Sequence, residues 1–292
     1  MLERQEIICT EVWGGNGPVL KELTLPGMKG VIWSQPVGGK AGGDLYYVSA
    51  CSSGVILRVC LADVVGHGAE VAQISAWLRE ILRANMERRD PSRIFTGMNR
   101  RVNERGLDAL TTAAVIHYHC KRGQLKYCYA GHPPALLYRR TEGVWKPLEL
   151  APSTGARISN VPFGVTDPVV YEVNDRTVEP GDRICVFSDG VTETRDGANT
   201  LFGLEGLQEA LNRGHKLPLV VLAAWLSQAL AKHRGAGPID HDDVTFILLE
   251  VEKRKRAPLV WLLLRNQYRR FRRALASSNA APAAPQDYFC CA

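Results

Sequence analysis

The fold is decided by the stretch GGDLYYVSACSSGVILRVCLADVVGHG, residues 42–68. Residues 45–51 and 55–62 alternate as β-strands do, and the CSSG sequence between them is typical of a hairpin turn. Asp44 precedes the first run and Asp63 follows the second, and each lies close to glycines. Because the outer ends of a hairpin's two strands lie side by side, both carboxylates are predicted at one edge of a sheet.

Outward from this hairpin, the chain alternates groups of strands with groups of helices. A helix with one apolar stripe is predicted directly after Gly68, and a second one follows Pro91 with Ser92 as its N-cap. Further strands are predicted at residues 31–35, 111–120, 124–130, 135–140, 144–150, 169–178, 183–190 and 242–252, and further helices at 204–211 and 218–234. Antiparallel hairpins with helices grouped between them favour an α+β fold over alternating βαβ units.

The sequence divides into four segments. Residues 1–30 contain the turn signals GGNGP and LPGMKG and are predicted to be an irregular N-terminal extension. Residues 31–252 form one globular domain, residues 253–276 a basic amphipathic helix, and residues 277–292 a disordered tail rich in Ala and Pro.

The net charge of +6 is concentrated near the C-terminus. Residues 253–275 hold nine Lys or Arg residues and no acidic residue, whereas residues 1–252 have a balance of −2. A main body without excess positive charge argues against a nucleic-acid partner, including the reading of the chain as a metal-dependent nuclease.

Apolar runs, the N-terminus and the cysteines indicate the cellular compartment. No apolar run approaches the roughly 20 residues of a membrane span, and MLERQEIICTEVW has no signal-peptide pattern. None of the eight cysteines forms a C-x-x-C pair, so a zinc ribbon is disfavoured. We therefore expect a cytoplasmic protein whose cysteines are mostly small buried thiols.

Four aspartates stand at predicted strand ends: Asp44, Asp63, Asp189 in VFSDGVTET and Asp242 in HDDVTFILLE. A charge beside a buried strand is costly unless it is paired or bound to a cation. Each aspartate alone is compatible with a simple turn. The four together favour a site for a hard cation, since carboxylate oxygens suit Mg²⁺ or Mn²⁺.

In order along the chain, GGD, DVVGHG, TTAAV, AGHPPALLY, PGDRICVFSDGVTET, FGLEGL and DDVTFILLE resemble motifs of the metal-dependent serine/threonine protein phosphatases, the PPM family. The similarity is to the bacterial branch typified by stage II sporulation protein E and the sigma-B regulator phosphatases. It covers about residues 30–252 and implies an α-β-β-α sandwich, in which two antiparallel sheets are flanked by helices.

The resemblance also implies two Mn²⁺ or Mg²⁺ ions and their ligands. Asp63 is expected to bridge both ions, Asp44 and the backbone carbonyl of Val64 to bind one, and Asp189 and Asp242 to bind the other. Two cations lower the pKa of a shared water, and the resulting hydroxide attacks phosphorus without a nucleophilic side chain. Through these metals Asp63, Asp44 and Asp189 are the expected catalytic residues.

Two assignments stay open at this point. Asp243 is adjacent to Asp242 and is an alternative ligand. Related enzymes outside this branch carry a histidine, proposed as general acid, at the position of Val65. His67 lies two residues further on, and it is either a catalytic residue or a residue that orders the loop.

The implied function is hydrolysis of phosphoserine or phosphothreonine on a regulatory protein of the anti-sigma-factor-antagonist type. The alternative is a non-catalytic regulatory module that keeps the fold, against which the presence of all four aspartates argues. The helix at residues 69–88 is either a switch and homodimer element or an ordinary core helix.

The basic helix at residues 253–276 has an apolar stripe, with most of its arginines off that stripe. The stripe consists of Trp261, Leu264, Tyr268, Phe271 and Leu275. Such a helix can lie on an anionic membrane, which would place the protein peripherally at the inner membrane face. The alternatives are docking on the protein's own body or in the acidic groove of a partner.

Overall fold

The computed structural model describes residues 3–7, 11–15, 17–39, 42–51, 54–66, 69–86, 88, 90–106, 109–151, 158–235, 239 and 241–253. The predicted tail, the predicted basic helix beyond its first residue and His67 lie outside the described residues.

Across these ranges the strands are β1 (Glu3–Glu6), β2 (Glu11–Gly14), β3 (Val19–Leu25), β4 (Met28–Gln35), β5 (Asp44–Ala50), β6 (Ile56–Val64), β7 (Thr111–His119), β8 (Gln124–Ala130), β9 (Leu136–Arg139), β10 (Val144–Pro147), β11 (Asn174–Thr177), β12 (Arg183–Phe187) and β13 (Val244–Val251). The helices are α1 (Ala69–Asn85), α2 (Pro91–Arg105), α3 (Asp189–Glu193), α4 (Gly203–Arg213) and α5 (Leu219–Arg234).

These strands form two sheets. Within the described part of the chain, one sheet has the order β1-β3-β4-β13-β12-β9-β10 and the other the order β11-β8-β7-β6-β5-β2. Neighbouring strands are antiparallel, except for the parallel pair β1 and β3. The predicted hairpin at residues 42–68 is the pair β5 and β6, in which Asp44 stands opposite Asp63.

The two sheets face each other across a continuous apolar core, and helices cover their outer faces. Leu61 of β6 and Ile247 of β13 are fully buried members of the layer between the sheets. Helices α1 and α2 pack on the outer face of the six-stranded sheet, and α4 and α5 pack on the other sheet. This arrangement confirms the predicted sandwich and the α+β class.

The predicted stripe of α1 is the buried side of the helix. Its apolar residues Val71, Ile74, Leu78, Ile81 and Leu82 are all buried. Their spacing of three and four residues places them along one face, which packs against β5 and β6. None of the described helices combines the length and the apolar character that crossing a membrane requires.

The prediction that residues 1–30 are irregular is wrong for the described residues of that segment. Strands β1 to β3 and the start of β4 lie there, and β2 extends the six-stranded sheet. The turn signals are the connections between these strands: Gly27, for example, separates β3 from β4. Leu23 is completely buried, so the segment contributes to the core.

Two further predictions need correction. The N-cap of α2 is Asp90, whose carboxylate accepts hydrogen bonds from the Ser92 amide at 3.0 Å and the Ser92 hydroxyl at 2.8 Å. Pro91 takes the first helical position, where a missing N–H costs nothing. The strand predicted at residues 169–178 is regular only over Asn174–Thr177.

Candidate metal centre

The candidate centre lies where the two sheets end together. Asp44 starts β5 and Asp63 is near the end of β6, which places both carboxylates at one edge of the six-stranded sheet. In the other sheet, Asp189 follows β12 and Asp242 precedes β13. Because β12 and β13 are antiparallel neighbours, the end of one and the start of the other share an edge.

Three of the predicted ligands converge. One carboxylate oxygen from each of Asp63, Asp189 and Asp242 lies within 4.8 Å of the others. The first comes from one sheet and the other two from the opposite sheet, so docking of the sheets creates the cluster. Three convergent carboxylates form a donor set suited to a hard divalent cation.

Asp44 lies beside this cluster but is not a member of it. Its carboxylate is 1% exposed, and Oδ2 accepts a hydrogen bond of 2.8 Å from the Ser188 hydroxyl. Its Oδ1 and Oδ1 of Asp189 are buried and have no hydrogen-bond donor among the described residues. Because unsatisfied buried acceptors are costly, both oxygens fit the coordination of a cation.

Asp243 has a different environment from its neighbour Asp242. Its Oδ1 accepts from the Val37 amide at 2.7 Å, and its Oδ2 accepts from the amides of Gly43 and Asp44. The carboxylate therefore ties the loop before β5 to the start of β13. Both oxygens of Asp243 are thus occupied by backbone donors, whereas Asp242 accepts one backbone hydrogen bond, from the Asp243 amide at 2.7 Å, and contributes an oxygen to the carboxylate cluster.

Two glycines of the centre are needed for close approach of protein atoms. A side chain at Gly42 would collide with the carboxylate of Asp243, and one at Gly190 would collide with the backbone carbonyl of the same residue. These glycines make room for the aspartate that joins the two sheets.

The electrostatics of the centre disfavour several ionised carboxylates without a cation. Burial, and then the neighbouring charges of Asp189 and Asp242, raise the pKa of Asp63 to about 8. Burial and Asp63 raise the pKa of Asp44 well above its ordinary value. Burial also raises the pKa of Asp242 to about 6. A bound divalent cation reverses this balance, because it replaces repulsion between the carboxylates by attraction.

The family follows from a comparison with protein-family models. The model described as stage II sporulation protein E (SpoIIE) matches residues 54–252, more than half of the chain.

The chain belongs to the SpoIIE family.

This membership confirms the predicted family of metal-dependent phosphatases and the predicted branch, which is typified by stage II sporulation protein E and the sigma-B regulator phosphatases. Among curated proteins, the phosphoserine phosphatase RsbU of Bacillus subtilis (strain 168) is 28% identical over 156 residues, which are 52% of this chain and 43% of RsbU. Protein IcfG of Synechocystis (strain ATCC 27184 / PCC 6803 / Kazusa) is 29% identical over 125 residues, 43% of this chain and 18% of IcfG. The matched region spans less than half the length of either relative.

Solved structures share the fold. The SiaA-PP2C domain of Pseudomonas aeruginosa superposes with a TM-score of 0.65 at 20% identity, over 76% of this chain and 84% of that one. The RsbU and RsbW domains of Rv1364c from Mycobacterium tuberculosis give a TM-score of 0.64 at 22% identity, over 88% of this chain and 70% of that one. The SpoIIE-family sandwich is thus the architecture that holds the carboxylates of this chain.

Two further residues contribute to this SpoIIE-family centre: Val64, which is predicted from the sequence, and Ser188, which is not. Val64 ends β6, and its amide donates to the Gly43 carbonyl at 3.3 Å. Ser188 was missed, although it directly precedes Asp189 in the FSDG motif. Its hydroxyl is 2.8 Å from Asp44 and also accepts from the Thr245 amide at 3.0 Å. The available signal was a serine placed between a predicted strand and an aspartate that was itself a predicted ligand.

Proposed function

We propose that this protein is a metal-dependent serine/threonine protein phosphatase that dephosphorylates a regulatory protein. The observation that carries the proposal is the convergence of Asp63, Asp189 and Asp242 beside the buried, partly unsatisfied carboxylate of Asp44. Family membership and the phosphoserine phosphatase name of the relative RsbU support it.

The residues present fit two divalent cations, Mn²⁺ or Mg²⁺. Asp63, Asp189 and Asp242 would hold one, and Asp44, Asp63 and the carbonyl of Val64 would hold the other. Such ions, when bound, supply hydroxide from water near neutral pH and offset charge on the phosphoryl oxygens.

Side chains next to the proposed ligands hold those ligands in position. The Ser188 hydroxyl fixes Oδ2 of Asp44, whose buried Oδ1 has no hydrogen-bond donor among the described residues. Asp243 orders the backbone of residues 43 and 44 from the opposite sheet. Groups held in this way lose little freedom when a substrate arrives, which favours catalysis.

A cysteine-based phosphatase mechanism is not supported by the cysteines nearest to the centre along β6 and β12. Cys60 and Cys185 are fully buried. Burial raises the pKa of Cys60 to about 12 and that of Cys185 in the same direction, so neither forms a thiolate at neutral pH.

The general acid remains a hypothesis. Val65, which occupies the position of a histidine in related enzymes, is 56% exposed and carries no proton to donate. His67 therefore stays the proposed candidate, from outside the described residues.

The substrate and partners are also proposals. We infer a phosphoserine or phosphothreonine on a protein of the anti-sigma-factor-antagonist type. A homodimer through α1 stays a prediction, and it would have to use the polar side of that helix, because the apolar stripe is buried against β5 and β6.

The test is hydrolysis of p-nitrophenyl phosphate, and of a phosphoserine-bearing antagonist protein, with and without Mn²⁺. Turnover should require the metal and should fall at least about a hundredfold in Asp63→Asn, which weakens both proposed ions. Asp90→Asn is the matched control, because asparagine also caps helices well. Metal binding without turnover would instead support the non-catalytic regulatory module.

A further inference from the structure

A cavity of about 500 Å³ opens on the outer face of the six-stranded sheet, at the end opposite the acidic centre. Its lining comes from the starts of β6 and β8, the end of β7 and the turn between β7 and β8. The basic lining residues are Arg58, His117, His119, Lys121, Arg122 and Lys126.

The register of the sheet places three of these side chains in one row. Arg58 of β6 stands opposite His117 of β7, and His117 stands opposite Lys126 of β8. Arg58 shares its face of β6 with Cys60, which packs under α1 and α2. The row therefore lies on the helix-covered side of the sheet, beyond the apolar cluster of the helices.

The cavity is separate from the acidic centre. Arg58 and Asp63 are five residues apart on β6, which is roughly 17 Å along an extended strand. Because five is an odd number, the two side chains point to opposite faces of the sheet. The cavity is therefore not an extension of the proposed metal site.

The charge of the cavity is one-sided. None of the described lining residues is acidic, whereas Arg58, Lys121, Arg122 and Lys126 are cationic at neutral pH. The acidic residue in register with Lys126 is Asp175 on β11, which accepts a hydrogen bond of 3.1 Å from Gln124 at the rim.

We propose that this cavity is a binding site for a small polyanion that carries phosphate or carboxylate groups. Lys121, Arg122 and Lys126 are exposed cations that a ligand in the cavity can reach, whereas Arg58 and His117 are buried, at 5% and 4% exposure. The guanidinium of Arg122 can hold phosphate or carboxylate with two parallel hydrogen bonds, and the ammonium groups of Lys121 and Lys126 add electrostatic attraction. The volume is typical of small-molecule sites. No Phe, Tyr or Trp is among the described lining residues, so recognition depends on charge and not on stacking with such a ring.

The test is calorimetric titration of the full chain, freed of metal by chelation and desalting, with pyrophosphate and with citrate. Without metal the acidic centre repels both anions. The double variant Arg122→Gln/Lys126→Gln removes two exposed cations from the cavity rim, and Lys216→Gln/Lys232→Gln removes two exposed cations from the other side of the sandwich.

We expect at least one anion to bind, with an affinity lowered roughly tenfold or more in the cavity variant and less than about twofold in the control. Tighter pyrophosphate binding assigns the site to phosphate ligands, and tighter citrate binding assigns it to carboxylates. Failure of both anions to bind, equal losses in both double variants, or unchanged affinity in the cavity variant would overturn the proposal.

Discussion

Ser188 directly follows β12 of one sheet and Asp44 starts β5 of the other, and a hydrogen bond of 2.8 Å runs from the serine hydroxyl to Oδ2 of Asp44. The bond connects the loop after β12 to the first residue of β5. Its donor is fully buried, so water does not replace it when it is removed.

Ser188→Ala should therefore weaken the metal site without removing a proposed ligand. Residues that orient metal ligands typically contribute about 10- to 100-fold in metal affinity or activity. We expect the Mn²⁺ concentration for half-maximal phosphatase activity to rise by about that factor. Ser227→Ala is the control, because the Ser227 hydroxyl donates to the Ala224 carbonyl of the same helix, α5. An unchanged Mn²⁺ requirement would remove Ser188 from the site.

Asp242→Asn and Asp243→Asn should have opposite effects on the metal-free protein. Asparagine at position 242 removes a repelling charge from the cluster and should leave stability unchanged or raised, while activity is lost. Asparagine at 243 cannot accept at both side-chain ends, so the amide of Val37 or those of Gly43 and Asp44 lose their acceptor. We expect this to cost about 1–3 kcal/mol. Urea unfolding of the two metal-free variants tests this prediction. Equal free energies of unfolding would contradict the different roles given to Asp242 and Asp243.

The stability of the metal-free protein should depend on pH through Asp63. Its folded-state pKa is raised to about 8 by burial and neighbouring carboxylates, whereas in the unfolded chain it is about 4. The folded protein therefore holds a proton that the unfolded chain releases, and stability falls as the pH rises from about 4 to about 8. Asp242, with a pKa raised to about 6, acts in the same direction.

For the metal-free protein, the urea midpoint should be lower at pH 8.5 than at pH 5.5. The difference between the two midpoints should be smaller in Asp63→Asn. Saturating Mn²⁺ should restore stability at the higher pH, because the cation binds the ionised carboxylates of the folded state. A urea midpoint that does not change with pH in the metal-free, unsubstituted protein would refute the raised folded-state pKa of Asp63.

Gly190→Ala should destabilise the protein by about 1–3 kcal/mol, because the added methyl group collides with the backbone carbonyl of Asp243. Gly197→Ala is the matched control, since a Cβ there meets nothing within 4 Å. Thermal unfolding compares the two. Equal melting temperatures would mean that the start of α3 at Gly190 shifts without cost.

The basic segment at residues 253–276 should draw the full chain onto anionic vesicles at low salt. Each Lys or Arg near such a surface contributes about 1 kcal/mol, which salt screens. The variant Arg269→Gln/Arg270→Gln/Arg272→Gln/Arg273→Gln should sediment much less with the vesicles. If the unsubstituted chain also stays in the supernatant, docking on the protein's own body or on a partner replaces the membrane hypothesis.

The sequence predicted the hairpin that carries Asp44 and Asp63, because turn residues and alternating apolar residues leave little choice of register. It did not separate the roles of Asp242 and Asp243. Both faces of β13 are buried, from Val244 to Leu249, so the strand has no polar side that would show which aspartate points inward. The strands before residue 30 were missed because their connections are rich in Gly and Pro and the strands themselves are only four to eight residues long.

The tie between Asp243 and the loop before β5 joins residues that are 199 to 206 positions apart in the chain. We expect contacts between such distant residues to form late in folding, because closing a long loop costs entropy before any contact is gained. A nascent chain that has completed only the six-stranded sheet therefore carries Asp44 and Asp63, but it lacks Asp189 and Asp242 and also the Ser188 and Asp243 contacts that hold Asp44. Metal capture then reports the last stage of folding, and a stalled or truncated chain should neither take up the ions nor release phosphate.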